Sequence, residues 1–447
     1  MTYTPHTEAD IQAMLATIGV DSLDALFQDV PEDVRYPEVD LPEAHSQMEA
    51  SWVMEDLANA NYAAGKTNSF IGAGAYNHYS PPVVNYIIQR GEFMTAYTPY
   101  QPEVSQGTLQ AVFEYQSMIC ALTGMDAANA SHYDGATSLA EAVLMAYNIG
   151  RGKRSKVLMS PGVHPHYREV VRTYMIGFDV EIVGDEGSQV DLDALIASID
   201  DNTALVAVQY PNFFGQIEEV ARVMAAAQEK GALGCIVADP VSLGLLKPPG
   251  ALGADVVVGE GQGLGIPLSY GGPYLGFFAT RDKYVRKMAG RLVGETNDVN
   301  GKPGYVLTLA TREQHIRREK ATSNICTNQG LMALASAVYM AAMGKQGLRE
   351  VAELCYHKSH YAAGLINELP GFSVEMDKPF LKEIVVHCPA PVEEINSHLL
   401  GEHGIIGGFD LSSVYSDRTN QMLLAIVETN TKNDIDELVT ALSEVAQ

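Results

Sequence analysis

Nowhere along the 447 residues does an apolar run approach the roughly 20 residues that a membrane-spanning helix requires. The opening stretch, Met1 to Leu15, lacks the basic-then-apolar order of a signal peptide, and it carries acids, which transit peptides avoid. The expectation is a soluble, cytoplasmic protein. Paired cysteines are also missing. The five that exist, Cys120, Cys235, Cys326, Cys355 and Cys388, are scattered singly with no Cys-x-x-Cys. That argues for reduced thiols and against a disulfide framework or a zinc site. Cys235 and Cys388 lie in apolar runs and are expected to pack as small hydrophobes. Basic residues are in short supply, with 29 Lys and Arg against 55 Asp and Glu, for a formal net charge of −26. A nucleic-acid binder needs a basic surface to displace counterions, so that class is set aside.

What is present reads as a globular protein of more than one packed unit. Hydrophobic residues make up 47% and charged residues 19%, an ordinary globular balance. The length exceeds the roughly 100–200 residues of a usual domain. Residues 1–107 read as a helical and extended segment ending in an interface loop. Asp10 to Ile18 has helical apolar spacing, and a second short helix follows, capped by Asp21 or Ser22. From 108 to 330 short β-branched runs alternate with helices. The strands are expected at Val157–Met159, Val180–Val183, Leu205–Val208, Cys235–Ala238, Asp255–Val258 and Leu275–Ala279. Such runs, separated by helices, indicate a mostly parallel sheet covered on both faces. A helix from Leu331 to Met343 then leads into a smaller α+β unit, 331–447. A large doubly wound α/β domain followed by a small α+β domain is the layout of the aspartate-aminotransferase-like, fold type I, pyridoxal-phosphate-dependent transferases. Layout alone carries no function.

Three features hold pyridoxal phosphate in that layout, and each can be sought here. The turn Asp134-Gly135-Ala136-Thr137-Ser138 opens a helix. Small residues at a helix start present backbone N–H groups to an anion. The same residues would also cap a helix with no ligand, and taken alone that plainer reading is favoured. Asp239 ends the run Cys235–Ala238, where ligands bind in open α/β sheets. It is a candidate partner for the pyridinium nitrogen, with a simple turn before Pro240 as its rival. The third feature is absent. The loop 259–273, Gly259 to Pro273, contains no lysine. A Schiff base needs an amine, and Gln262 cannot supply one. Lys247 and Lys283 flank the loop without lying on it. His164-Pro165-His166 is too sparse for a metal site, and no metal is expected. Gly72-Ala73-Gly74 is no dinucleotide fingerprint, since no strand clearly precedes it.

The specific runs decide the reading. They are Phe70 to Gly74, Thr95 to Gly107, Glu114-Tyr115-Gln116, Ala130 to Thr137, His164 to Glu169 and Arg312 to Thr327. On these the chain resembles, over essentially its full length, the first subunit of the glycine cleavage system P-protein, the glycine dehydrogenase (decarboxylating) family. That family occurs as one long chain of two similar halves or as two subunits, and this chain resembles the first half. The second half carries the cofactor lysine. Aligning the two loops through their shared Ile-Pro step puts Gln262 at the lysine position.

The resemblance implies several further expectations. Pyridoxal phosphate is anchored on the partner, subunit 2, in an α2β2 heterotetramer, so this chain has no catalytic lysine of its own. Glycine is decarboxylated there, and the aminomethyl group passes to the lipoyl-lysine of the H-protein, in a system completed by the T- and L-proteins. The reaction is an oxidation of a CH–NH2 donor with a disulfide acceptor. Gly135, Ala136, Thr137, Asp239 and Gln262 would then be a vestigial cofactor site. Tyr97, Tyr100, Gln101, Glu103, Ser105 and Gln106 are candidates for an interface or substrate-channel wall, because a proline-stiffened loop carrying phenols, amides and an acid often serves function. Simple packing is an equal rival for that loop. For the basic run Arg317, Arg318 and Lys320, a solvated helix face with intra-helix ion pairs is favoured over anion binding. The alternatives to a working subunit are a non-catalytic scaffold for the cofactor-bearing partner, or a stand-alone enzyme that uses another lysine.

Overall fold

The computed structural model describes residues 6–63 and 65–445. By its internal contacts the chain divides into two units, Met1–Tyr62 and Ala63–Gln447. The first holds helices α1 (Glu8–Ile18) and α2 (Gln47–Asn59). Each starts on a reciprocal capping box, Thr7 with Asp10 and Ser46 with Glu49, which satisfies otherwise orphaned N–H groups. Between them a 3-10 turn, Asp24–Phe27, stands where a short helix was expected. Ser22 Oγ accepts from Ala25 N at 3.2 Å.

The second unit is built on a seven-stranded sheet. In chain order its strands are β1 (Ala127–Ala128), β2 (Lys156–Met159), β3 (Glu181–Val183), β4 (Thr203–Tyr210), β5 (Leu233–Ala238), β6 (Val256–Glu260) and β7 (Gly276–Thr280). Their spatial order is β1-β7-β6-β5-β4-β2-β3, parallel from β3 to β6 and antiparallel on both sides of β7. Side chains alternate between the two faces with period two. Val206, Val208, Ile236 and Val257 enter one core, under α3 (Gln106–Thr123) and α7 (Gly330–Asn367). Leu205, Ala207, Val237 and Val258 enter the other, under α4 (Gly135–Ile149) and α5 (Pro165–Met175). On the first side α6 (Val220–Glu229) also packs. Both faces are therefore dry, which is why these strands read as unbroken β-branched runs. Each fully buried Val or Leu contributes about 1.5–3 kcal/mol.

A hairpin of β8 (Leu292–Asn297) and β9 (Pro303–Thr308) follows. The helix expected to stop at Met343 runs on. Gly344 adopts φ 61 at a break, and a second helical stretch continues to Asn367. The remaining sheet is antiparallel, with β10 (Ser373–Val374), β11 (Glu383–His387), β12 (Phe409–Asp410) and β13 (Gln421–Ala425) in the order β10-β11-β13-β12. Helices α8 (Val392–His403) and α9 (Lys432–Val445) pack on it through Ile395, Leu399, Ile435 and Leu438. Asn68–Ser69 pairs in parallel with Ile405–Ile406, which ties the stretch after residue 63 to this part of the second unit. No helix among the described residues is long and apolar enough to cross a membrane.

Candidate functional site

The C-terminal ends of β5 and β6 meet the N-terminus of α4, the place where ligands bind in sheets of this kind. Asp134 caps α4, its Oδ1 accepting from Thr137 N at 2.7 Å. The first free donor, Gly135 N, gives its hydrogen bond to Glu260 Oε2 at 3.0 Å. The other carboxyl oxygen of Glu260 accepts from Gln262 N at 3.1 Å and Leu275 N at 2.9 Å. A side chain of β6 thus fills the anion cradle that a helix N-terminus offers. Burial pushes the Glu260 carboxyl up to about 8, despite the three N–H donors. Gly135 is required by the closeness of this packing. A Cβ there would lie 2.3 Å from Tyr167 Oη and 2.9 Å from Glu260 N.

Asp239 lies just past the end of β5. Its carboxylate faces Lys382 Nζ at 2.9 Å and accepts from the Ser242 hydroxyl. Burial alone would raise its pKa, but the Lys382 ammonium and Ser242 outweigh that and hold it below the ordinary value. Lys382 is itself buried, with its Nζ 3.5 Å over the centre of the Tyr76 ring. Gln262 is buried and fully satisfied. Its Oε1 accepts from Tyr76 N at 2.9 Å, and its Nε2 donates to Tyr76 O at 2.9 Å and Ile266 O at 2.7 Å. The amide therefore pairs with a backbone segment much as a neighbouring strand would. Glu383 accepts from Ala73 N at 2.8 Å, and burial raises its carboxyl to about 7. His164 bonds Ala73 O through Nε2 at 2.7 Å and accepts from His166 N at Nδ1, so both ring nitrogens are taken by backbone. Burial lowers its pKa to about 4 and keeps the ring neutral.

The space left among Tyr76, His164, Tyr167, Asp239, Glu260 and Gln262 is about 40 Å³. Small-molecule sites occupy roughly 300 Å³ or more. Pyridoxal phosphate does not fit this chain. A carboxyl sits where its phosphate would go, an ammonium faces the aspartate its ring nitrogen would need, and no amine is on the loop. Gly135, Asp239 and Gln262 converge on this place, Ala136 is buried behind it, and Thr137 serves the cap. Lys247 and Lys283 do not line it, and Lys283 pairs with Asp255 at 3.2 Å. Sequence reasoning missed Glu260, although it lies on the same lysine-free loop as Gln262. It also missed Lys382 and Tyr76, which come from distant segments and carry no local signal.

The stretch 95–107 forms a separate surface. Tyr97 is 86% exposed and Tyr100 52%. Gln101 and Glu103 are exposed and Ser105 is half-buried. Gln106 is engaged differently. Its amide accepts from Tyr305 N at 2.9 Å and donates to Tyr305 O at 2.9 Å and Pro102 O at 2.7 Å, clamping β9. Behind the tyrosines lies Arg291, buried, bonded to Cys326 O at 2.6 Å and Asn328 Oδ1 at 3.2 Å, with its guanidinium 5.7 Å over the Tyr100 ring. Arg291, Tyr97, Phe93, Met94, Val112 and Leu334 are among the walls of an open cavity of about 210 Å³.

The basic run departs from expectation. Arg317 ends a four-residue helix, and Arg318 and Lys320 lie in a 3-10 turn entered with Arg318 at φ 54. All three are exposed, and among the described residues none pairs with a carboxylate. A helix this short offers no i,i+4 register in which the expected ion pairs could form.

The family model described as glycine cleavage system P-protein matches residues 1–442. A probable glycine dehydrogenase (decarboxylating) subunit 1 of Thermomicrobium roseum is 53% identical over 447 residues, covering 99% of each chain. The protein of the same description from Desulforamulus reducens is 50% identical over 449 residues, covering 100% of both. A crystal structure of glycine decarboxylase (P-protein) of the glycine cleavage system, in inhibitor-bound form, superposes with a TM-score of 0.90 at 45% identity, covering 100% of both chains. Lactobacillus brevis glutamate decarboxylase shares the fold, with a TM-score of 0.69 at 16% identity over 94% of this chain and 98% of that one.

Proposed function

The chain belongs to the glycine cleavage system P-protein family, and from that premise we propose that it is the cofactor-free first subunit of a two-subunit glycine dehydrogenase (decarboxylating). The observation that carries this reading is the filled cradle of Glu260, Gln262 and Lys382. A chain with this fold whose own side chains occupy the cofactor's place works through another polypeptide. The second subunit, implied by relatives named subunit 1, is where a lysine would hold pyridoxal phosphate. When bound there, the cofactor supplies the electron sink for loss of carbon dioxide from glycine. The lipoyl arm of an H-protein then receives the aminomethyl group, in a cytoplasmic α2β2 assembly that feeds the T- and L-proteins.

In this reading Tyr97, Tyr100, Gln101, Glu103 and Ser105 form part of the wall that excludes water and orients glycine or the lipoyl arm. Arg291 and the Gln106 clamp hold that wall in place. A scaffold role without substrate contact is the second reading, favoured by one observation: the Gln106 amide is spent on the backbone of Tyr305.

The test is reconstitution. The purified chain mixed with pyridoxal phosphate stays colourless and retains none on dialysis, and addition of subunit 2 gives glycine-dependent carbon dioxide exchange. A yellow, borohydride-fixable chain that decarboxylates glycine alone defeats the proposal. Exchange that survives simultaneous loss of Tyr97, Gln101 and Ser105 side chains, in an intact assembly, selects the scaffold reading.

A further inference from the structure

We propose that His398, His403 and Glu444 form a binding site for a divalent transition metal, zinc foremost, where helices α8 and α9 end side by side. None of the three lines the space beside Gln262. Four residues separate the two histidines, a spacing that zinc sites use. Glu444 joins them from the last turn of α9. Each histidine presents Nε2 to the same carboxylate oxygen, Glu444 Oε2, His403 at 2.9 Å and His398 at 3.3 Å. The three ligand atoms all lie within 4.8 Å of one another. An ion held at about 2.0–2.1 Å in tetrahedral geometry sets its ligands about 3.3 Å apart. The spacings already present are near that value, and side-chain rotation can supply the rest. The helices that carry the ligands are fixed beneath them. Ile395 and Leu399 of α8 and Leu438, Ala441 and Leu442 of α9 are buried in one core, which pre-organises the site.

Hydrogen bonding alone leaves the cluster incomplete. His398 Nε2 is shut off from solvent and has no hydrogen-bond partner. A metal ion would use the lone pair that this nitrogen carries in the neutral ring. The local field also favours a cation. Both helices bring their C-terminal, partially negative ends here. The only Lys or Arg on either helix is Lys432, at the opposite end of α9, where it pairs with Asp436. No ammonium or guanidinium of these helices therefore competes for Glu444. No cysteine belongs to the set, so the dispersal of the thiols does not argue against it. Three protein ligands leave the fourth position to water.

The experiment strips the full-length chain with a chelator and titrates it with zinc chloride by calorimetry. One ion binds per chain, with a Kd of roughly micromolar or tighter. His398→Ala and, separately, Glu444→Gln weaken binding by about tenfold or more, while the metal-free variants melt with the wild-type chain. Zinc at about a hundred times its Kd slows hydrogen exchange in the last turn of α9 by up to about a hundredfold. Cobalt(II) in place of zinc gives visible d–d bands without thiolate charge-transfer absorption. A chain that binds no zinc overturns the proposal and leaves the cluster a plain ion pair. Binding undiminished in both variants overturns it as well. So does binding lost only in Cys355→Ser, which moves the ion to the buried cluster of His78, Cys355 and Glu428.

Discussion

Replacing Gln262 with lysine puts an amine on the loop between β6 and β7, restoring the group that a Schiff base requires there. The structure predicts that the restoration fails. Tyr76 N loses its acceptor, because an ammonium cannot take the place of Oε1, and a buried unsatisfied amide costs about 1–3 kcal/mol. The new amine also enters a pocket that already holds the buried Lys382 ammonium, so it must give up its proton or pay for a second buried charge. Together these set a destabilisation of about 2–5 kcal/mol, read as a lowered melting temperature by calorimetry. With pyridoxal phosphate added, the Gln262→Lys chain stays colourless, because Glu260 still occupies the Gly135 N–H and Lys382 still faces Asp239. Only a variant that also carries Glu260→Gly and Lys382→Ala opens the cradle, and it is the one expected to gain absorbance. Stoichiometric uptake by Gln262→Lys alone, with a borohydride-fixed adduct at position 262, would show that the loop lysine was the sole deficit and that Glu260 and Lys382 do not block the site.

Glu260 makes stability fall with rising pH. Its folded pKa of about 8 lies above the ordinary 4.5, so the folded chain binds the proton more tightly. The stabilisation is complete below about 4.5 and is lost as pH climbs through about 8, at a limiting slope of about 1.4 kcal/mol per unit. Melting curves between pH 5 and 9 should show a shallower decline for Glu260→Gln, and identical slopes would contradict this assignment. Gly135→Ala drives a methyl against Tyr167 Oη and the Glu260 backbone, so overpacking of about 1–3 kcal/mol is expected in chemical denaturation. Gln106→Ala frees Tyr305 from its clamp and should cost about 0.5–1.5 kcal/mol, with faster hydrogen exchange confined to β9 as its signature.

Much of the fold was legible because its signals are local. The β-branched runs of β4, β5 and β6 announce strands buried on both faces, and the Asp134 turn announces a helix start. The second half of α7 was not anticipated, since the break at Gly344 reads as an end although the chain resumes helix after it. The basic run 317–320 was expected on a helix that its backbone does not continue, as Arg318 turns to φ 54. Glu260 stood in plain view on the loop, but nothing in its neighbours says that its carboxyl would reach back to Gly135.

That the loop after β6 offers no amine to anchor pyridoxal phosphate can be read from the residues alone, because a covalent requirement is met or unmet by residue identity. Whether the space beside Asp239 and Gln262 stands open depends on how the layers pack. Lys382 reaches Asp239 from the residue before β11 of the small sheet, and Tyr76 reaches Gln262 from a segment far earlier in the chain. Contacts between distant segments depend on how layers pack, and neither periodicity nor spacing records them.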